Sequence, residues 1–186
     1  MKFFVVRHPW TQAGAAGITK GWADSPLTPA GIEAAEKLGD FFQDKDIPVI
    51  YSSDLGRCLE TSRLINKKLN VKIIKAPELR EQNFGVFNNT RITKKEFDSS
   101  DHSAIPPKGE SLVQLKERVL NYITTRLPKD KDKILAVTHY GCFQSLLSEA
   151  LGVSLDSEKC QTTPLTAGQF ELENNRIKLI ERIEIE

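Results

Sequence analysis

A three-layer α/β/α fold is the architecture this sequence predicts: α/β class, with a mainly parallel central sheet and a C-terminal antiparallel edge hairpin. Three observations predict it. Two short runs, Phe3-Phe4-Val5-Val6 and Ile134-Leu135-Ala136-Val137, are continuously apolar and β-rich, as strands buried on both faces of a parallel sheet are. Strand-like and helix-like patterns alternate over most of the 186 residues, which calls for helices on both sides of the sheet. Residues 169–172 and 177–185 alternate apolar and polar about Asn174-Asn175, the pattern of a hairpin at a sheet edge. The length suits one domain with a substantial core, so residues 1–186 are expected to form a single unit.

The first strand runs directly into Arg7-His8, which should therefore sit at its carboxyl end, where open α/β sheets bind ligands. Residues 11–27 hold Gly14, Gly17, Gly21 and Pro26 without a period and read as a loop walling that site. Thr28-Pro29 supplies an N-cap hydroxyl and a proline for the first helical position. Ile32, Ala35, Leu38 and Phe42 then carry a helix to about Lys45. Pro48-Val49-Ile50-Tyr51 reads as a second strand. Ser52-Ser53-Asp54 offers caps for the next helix, with Leu55, Leu59, Ser62, Ile65 and Leu69 facing inward. Arg57 lies in its first turn, where the helix dipole favours anions. That position fits an exposed arginine, or one that shares an anion with the helix N-terminus.

A third strand is expected at 71–74. Residues 86–108 are polar and irregular, allow a short helix at 94–97, and read as a lid or specificity segment. Ser111 with Gln114 forms a capping box for a helix through Leu112, Leu115, Val119, Tyr122, Ile123 and Leu127. Pro128 and the Lys/Asp run after it read as a solvated turn. The strand at 134–138 ends in His139-Tyr140-Gly141. A last helix passes through Leu146, Leu147 and Leu151 to Gly152 at its C′ position.

The net charge of +1 argues against a broad nucleic-acid surface or a polybasic membrane anchor, but leaves room for a small cationic pocket. No apolar run approaches the ~20 residues a membrane span needs, and charge at Arg7 and His8 stops the N-terminal run short of a signal peptide. Cys58, Cys142 and Cys160 are odd in number and lack a CxxC pair, so reduced, buried thiols in a cytoplasmic protein are expected. Neither GxGxxG after a strand nor GxxxxGK[ST] is present, which argues against dinucleotide and P-loop chemistry.

The chain has three histidines, and two of them, His8 and His139, end continuous apolar strands. A lone histidine is most often structural; two at the same topological place in a parallel sheet point to a shared site. His102, in a Ser/Asp-rich stretch, reads as an exposed loop residue.

Arg7-His8-x-x-Thr11 resembles the Arg-His-Gly-x-Thr signature of the histidine phosphatase superfamily, in its phosphoglycerate-mutase-like branch. The resemblance continues in order along the chain: Asp24-x-Pro26-Leu27-Thr28-x-x-Gly31, Ser53-Asp54-Leu55-x-Arg57-x-x-x-Thr61, Leu79-x-Glu81-x-x-x-Gly85, Gly109-Glu110-Ser111 and Val137-Thr138-His139. It implies His8 as nucleophile, Arg7, Arg57 and His139 around the phosphoryl oxygens, and Glu81 as acid and base. Substrate contacts are expected from Arg7, Arg57, Thr11, Gly21 and the backbone N–H of Tyr140. It implies no metal and no cofactor, a small-molecule phosphate ester as partner rather than nucleic acid or membrane, and leaves an oligomer open. The chain departs from the pattern where Pro9 replaces the glycine after the first histidine, Gly14 an asparagine, and Tyr140 the glycine after the second histidine.

These expectations amount to a phosphomonoesterase working through a phosphohistidine. Mutase-type transfer and a weakly active phosphate-binding module are the alternatives. Mutases of this family typically carry a longer segment after the acid/base glutamate and a C-terminal tail. Here 23 residues separate Gly85 from Gly109-Glu110-Ser111 and the sequence stops at the expected hairpin, which favours a phosphatase. The size and the stretch from Ala104-Ile105-Pro106 to Gly109-Glu110 resemble the α-ribazole phosphatases, while Pro9 and Gly14 set the chain apart from them.

Overall fold

In the computed structural model, which describes residues 1–128 and 130–185, the first apolar run becomes strand β1, Lys2–Arg7. It is followed by α1 (Gln12–Ala15), α2 (Pro29–Phe42), β2 (Val49–Ser52), α3 (Gly56–Leu69) and β3 (Lys72–Lys75). After single 3₁₀ turns at Pro77–Leu79 and Gly85–Phe87 come α4 (Leu112–Thr125), β4 (Ile134–Thr138) and α5 (Tyr140–Leu151). A further 3₁₀ turn, Glu158–Cys160, precedes β5 (Thr166–Glu173) and β6 (Arg176–Glu184).

The six strands form one sheet in the order β3-β2-β4-β1-β5-β6. Strands β3, β2, β4 and β1 are parallel; β5 and β6 add antiparallel at the edge. The register pairs Val6 with Val137 and Arg7 with Thr138, so the two strand ends that carry His8 and His139 lie side by side at the centre of the sheet.

Both faces of β1 are covered, which is why its apolar run has no alternation. Phe3 and Val5 pack with Leu115, Val119, Phe143 and Leu147 from α4 and α5. Phe4 and Val6 pack on the other side with Leu38 and Phe42 of α2 and Ile65 of α3. The hairpin turns at Asn174 and Asn175, with φ of 50° and 60°, the left-handed pair such a tight turn requires. Gly152 closes α5 at φ 64°, and Ser111 and Gln114 form the expected capping box on α4.

Four expectations need correction. The loop at 11–27 contains the short helix α1, because the buried Thr11 hydroxyl accepts the N–H of Gly14 and caps a turn. Residues 94–97 are turns rather than a helix: the Glu96 carboxylate binds the N–H and hydroxyl of Thr93, and Phe97 packs against Phe84 and Phe87. Helix α3 is not capped from Ser52-Ser53-Asp54. Leu55 is its N-cap residue, and Asp24 reaches across from the preceding loop to take the Gly56 N–H at 2.6 Å and the Arg57 N–H at 3.2 Å. Strand β5 begins at Thr166, earlier than the alternation indicates, because Ala167 and Gly168 continue the pairing with β1. Lys129, part of the turn expected after α4, lies outside the described residues, whereas 130–133 are exposed as expected. The cysteines are free and buried. Among the described residues no helix is long and apolar enough to cross a membrane.

Candidate active site

The loops after the parallel strands enclose a cavity of about 180 Å³, lined by Arg7, His8, Ile18, Thr19, Lys20, Gly21, Arg57, Glu81, Phe84 and Tyr140. The sheet therefore brings Arg7, His8, Gly21, Arg57, Glu81 and Tyr140, separated by up to 133 positions in the sequence, to one place.

His8 is set at the end of β1, where its backbone N–H still pairs with Thr138 of β4. Its Nδ1 lies 2.7 Å from the carbonyl oxygen of Pro9. A carbonyl can only accept, so Nδ1 carries the proton and Nε2 keeps its lone pair. Arg57 confirms that assignment by donating its Nε–H to Nε2 at 3.2 Å. Burial holds the imidazole well below its ordinary pKa, and the positive charges of Arg57, Lys20 and Arg7 act in the same direction. The result is a neutral ring on the cavity wall whose unprotonated nitrogen, Nε2, accepts from Arg57. Pro9, the departure from the family pattern, keeps the carbonyl that fixes this tautomer.

Arg57 is fully buried in the first turn of α3, so the reading of an exposed arginine falls. The Ala23 carbonyl at 2.8 Å, the Gly21 carbonyl at 2.7 Å and the Asp24 carboxylate at 3.5 Å hold its guanidinium. Gly21 thus serves the site through its carbonyl. Its φ of 52° and a Cβ position only 2.0 Å from Asn88 Oδ1 leave room for glycine alone.

Arg7 donates to the Thr162 carbonyl at 2.7 Å and lies 5.1 Å from the centre of the Tyr140 ring. Burial lowers the pKa of its guanidinium, and Glu81 opposes the shift. Tyr140 is held in turn by a hydrogen bond from its hydroxyl to Gln161. Glu81 lines the opposite wall: one carboxylate oxygen accepts the Gln82 N–H at 3.0 Å and the other the Gly141 N–H, in the first turn of α5, at 3.3 Å. An anion is well placed at that helix end. Arg118 secures the loop that carries Glu81, donating to the carbonyls of Glu78, Arg80 and Glu81 while its guanidinium pairs with Glu110 at 2.5 Å.

Two expected residues sit behind the cavity rather than on its wall. His139 is fully buried, with its ring 5.1 Å from that of His8 and its Nε2 2.8 Å from the Ser53 hydroxyl. Burial, with Arg57 and His8 next in importance, keeps it well below the ordinary imidazole pKa, so it too is neutral. Thr11 is buried, and its hydroxyl accepts the Gly14 N–H. His102 is half-buried and takes no part. Cys58 packs 3.4 Å from His139 Nε2, and burial pushes its thiol far above the ordinary range, which leaves it inert.

Sequence reasoning passed over Lys20, Asp24 and Arg118 as functional positions. The signals were weak: a lysine in a glycine-rich loop, an aspartate 32 positions before the helix it caps, and an arginine on the polar side of an amphipathic helix. Among the described residues no three His, Cys, Asp or Glu side chains converge so as to hold a metal ion.

A small cavity lined by three cations and a neutral imidazole suits a tetrahedral oxyanion, and fold and cavity together place the chain among enzymes of phosphoryl transfer. It belongs to the histidine phosphatase superfamily (branch 1), whose family model matches residues 3–182. Among its relatives is the probable phosphoglycerate mutase GpmB of Yersinia pestis, 32% identical over 170 residues, which span 86% of this chain and 79% of that protein. The solved α-ribazole phosphatase from Shigella flexneri superposes with a TM-score of 0.81 at 25% identity, covering 96% of this chain and 94% of that one. YhfR of Bacillus stearothermophilus shares the fold, with a TM-score of 0.84 at 23% identity and coverage of 96% and 95%.

Proposed function

We propose that the protein is a phosphomonoesterase that hydrolyses a small phosphorylated metabolite through a phosphohistidine on His8. The observation that carries this reading is the pair of hydrogen bonds on the His8 ring, which put the proton on Nδ1 and the lone pair on Nε2. Nε2 attacks phosphorus in line, the P–O bond to the alcohol breaks, and Glu81 gives its proton to the departing oxygen. The phosphorylated ring is cationic, and the Pro9 carbonyl at Nδ1–H stabilises it. Water then attacks phosphorus, Glu81 takes its proton, and the P–N bond returns its electrons to Nε2. One ester and one water give one alcohol and one phosphate.

Arg57 and Arg7 supply fixed donors for the charge on the transferring group, which is where most of the rate should arise. His139, behind His8, orients the nucleophile and adds a donor when the phosphoryl group draws it forward. A second cleft of about 280 Å³ shares Thr19 and Phe84 with the cavity and is lined further by Ile92, Lys94, Phe97 and Ser100. Residues 86–108 supply that wall, and the alcohol part of the ester extends into it. The name borne by the Yersinia relative favours a second reading, mutase-type return of the phosphoryl group to another hydroxyl of the same substrate.

The deciding experiment incubates wild type and His8→Ala with a panel of labelled phosphomonoesters, quenches in alkali, and looks for acid-labile phosphate on His8. The expected result is an adduct in wild type alone and release of inorganic phosphate. Turnover without an adduct for every ester overturns the covalent route. Transfer to a second hydroxyl in place of phosphate release selects the mutase reading.

A further inference from the structure

The cavity holds a third cation that its neighbours leave without a partner. Lys20 lies on the loop between α1 and α2 and lines the cavity with Arg7, His8, Arg57 and Glu81. Among the described residues its ammonium has no hydrogen-bond acceptor and no ion pair. Burial lowers its pKa, Arg57 pushes the same way, and Glu81 works against them. A half-buried ammonium without a protein acceptor completes its shell with water or with an anion that enters the cavity.

The ammonium has its place because residue 14 has no side chain. A Cβ built on Gly14 would lie 3.0 Å from Lys20 Nζ and 3.0 Å from Thr11 Oγ1, closer than ordinary packing allows. A side chain at 14 would therefore crowd the Lys20 ammonium at the edge of the site and push it aside by a few tenths of an ångström or more. The Thr11 hydroxyl beside it accepts the Gly14 N–H, and the charged donor at this point is the Lys20 ammonium.

We propose that Lys20 is a specificity-determining ligand of the substrate's phosphoryl group, seated in the volume that Gly14 leaves open, so that three cations grip the dianion. This rests on the reading that the cavity binds a phosphoryl group, and it adds the residue that sets how strongly the charge of that group is demanded. Three cations around one phosphoryl group favour a doubly charged phosphate monoester over the singly charged phosphodiester or sulfate ester of the same alcohol.

The test is calorimetric titration with inorganic phosphate at fixed ionic strength, using wild type, Lys20→Met, Gly14→Ala and the double variant. Removing a charge-assisted donor of this kind weakens binding about 10- to 100-fold, which is the result expected for Lys20→Met. Gly14→Ala should weaken binding several-fold in the wild-type background, because the new methyl displaces the ammonium, and should have no effect once Lys20 is methionine. Lys20→Met binding phosphate within twofold of wild type overturns the proposal. So does Gly14→Ala acting equally in both backgrounds, or a wild-type protein that binds no phosphate. The wider reading fails on a different observation, equal and negligible ester hydrolysis by wild type and His8→Ala, whatever Lys20 does to phosphate affinity.

Discussion

Arg57 donates its Nε–H to Nε2 of His8 at 3.2 Å, from a helix start that Asp24 holds through two backbone N–H groups. The cation is thereby aligned on Nε2, the nitrogen proposed to attack, and its hydrogen bond to that lone pair must open as phosphorus approaches. Arg57→Lys keeps the charge but loses the fork that binds His8, Ala23 and Gly21 together. The expected loss in kcat is about 10²–10³-fold, the effect of removing one preorganised donor. Steady-state kinetics on an aryl phosphate measure it; a loss under threefold means the fork is not needed.

The two buried histidines give the protein a characteristic acid response. Both have pKa values depressed below 6.5 by burial, so the unfolded chain binds protons in a range where the folded chain does not. Stability is then full above pH 6.5 and falls as pH drops below it, by up to about 1.4 kcal/mol per pH unit for each histidine. Urea unfolding between pH 7.5 and 5 should show this slope, and His139→Gln should reduce it. An unchanged slope in that variant removes His139 from the account. The acid limb of kcat/KM is expected below pH 6.5 for the same reason, since His8, the proposed nucleophile, stays neutral down to its lowered pKa.

The sheet centre was legible in the sequence because β1 and β4 are buried on both faces and so carry runs without alternation. Caps written in adjacent residues, Ser111 with Gln114 and Gly152, were legible too. What escaped depends on partners far apart in the chain. Asp24 caps α3 from another loop, so the local Ser52-Ser53-Asp54 pattern misleads; Asp54 is instead occupied with Arg80 at 2.6 Å. The partition of the site was hidden for the same reason. Sequence places His139 and Thr11 with His8, but only packing decides that they lie behind the wall while Lys20 stands on it.

Glu81 is expected to serve both halves of the reaction, and the two can be separated by choice of ester. With an alkyl phosphate, Glu81→Gln should lower kcat/KM about 10²–10⁴-fold, because the leaving oxygen needs a proton. With a nitrophenyl phosphate the first transfer needs little help, but hydrolysis of the phosphohistidine still does. Rapid-quench measurement should therefore show a burst of one nitrophenolate per protein followed by slow turnover. Equal losses for both esters without a burst argue that Glu81 acts only by position.

Gly141 is glycine because Glu81 leans on it. A Cβ at that position would come within 2.5 Å of Glu81 Oε1, while its N–H is one of the carboxylate's two backbone donors. Alanine is the better helix former by about 1 kcal/mol. Gly141→Ala should therefore match or exceed wild type in thermal stability yet show the ester-dependent defect of Glu81→Gln. A variant that is stable and fully active shows that the carboxylate can shift at no cost to the chemistry.

Arg118 separates support of the site from contact with it, since it lies outside the cavity and yet fastens three carbonyls of the segment 78–81. Arg118→Met keeps the aliphatic stem but frees those carbonyls and leaves Glu110 without its cation. Both side chains are partly exposed, so the stability cost should be roughly 2 kcal/mol rather than the larger figure of a fully buried pair. The catalytic effect should resemble that of Glu81→Gln in kind, a lower kcat on alkyl esters, with KM and phosphate affinity little changed because Arg7, Arg57 and Lys20 are untouched. Hydrogen exchange should speed up at 78–85 and stay as in wild type at the β1–β4 centre. A loss of phosphate affinity as large as that of turnover would show that Arg118 supports the whole cavity, not the Glu81 loop alone.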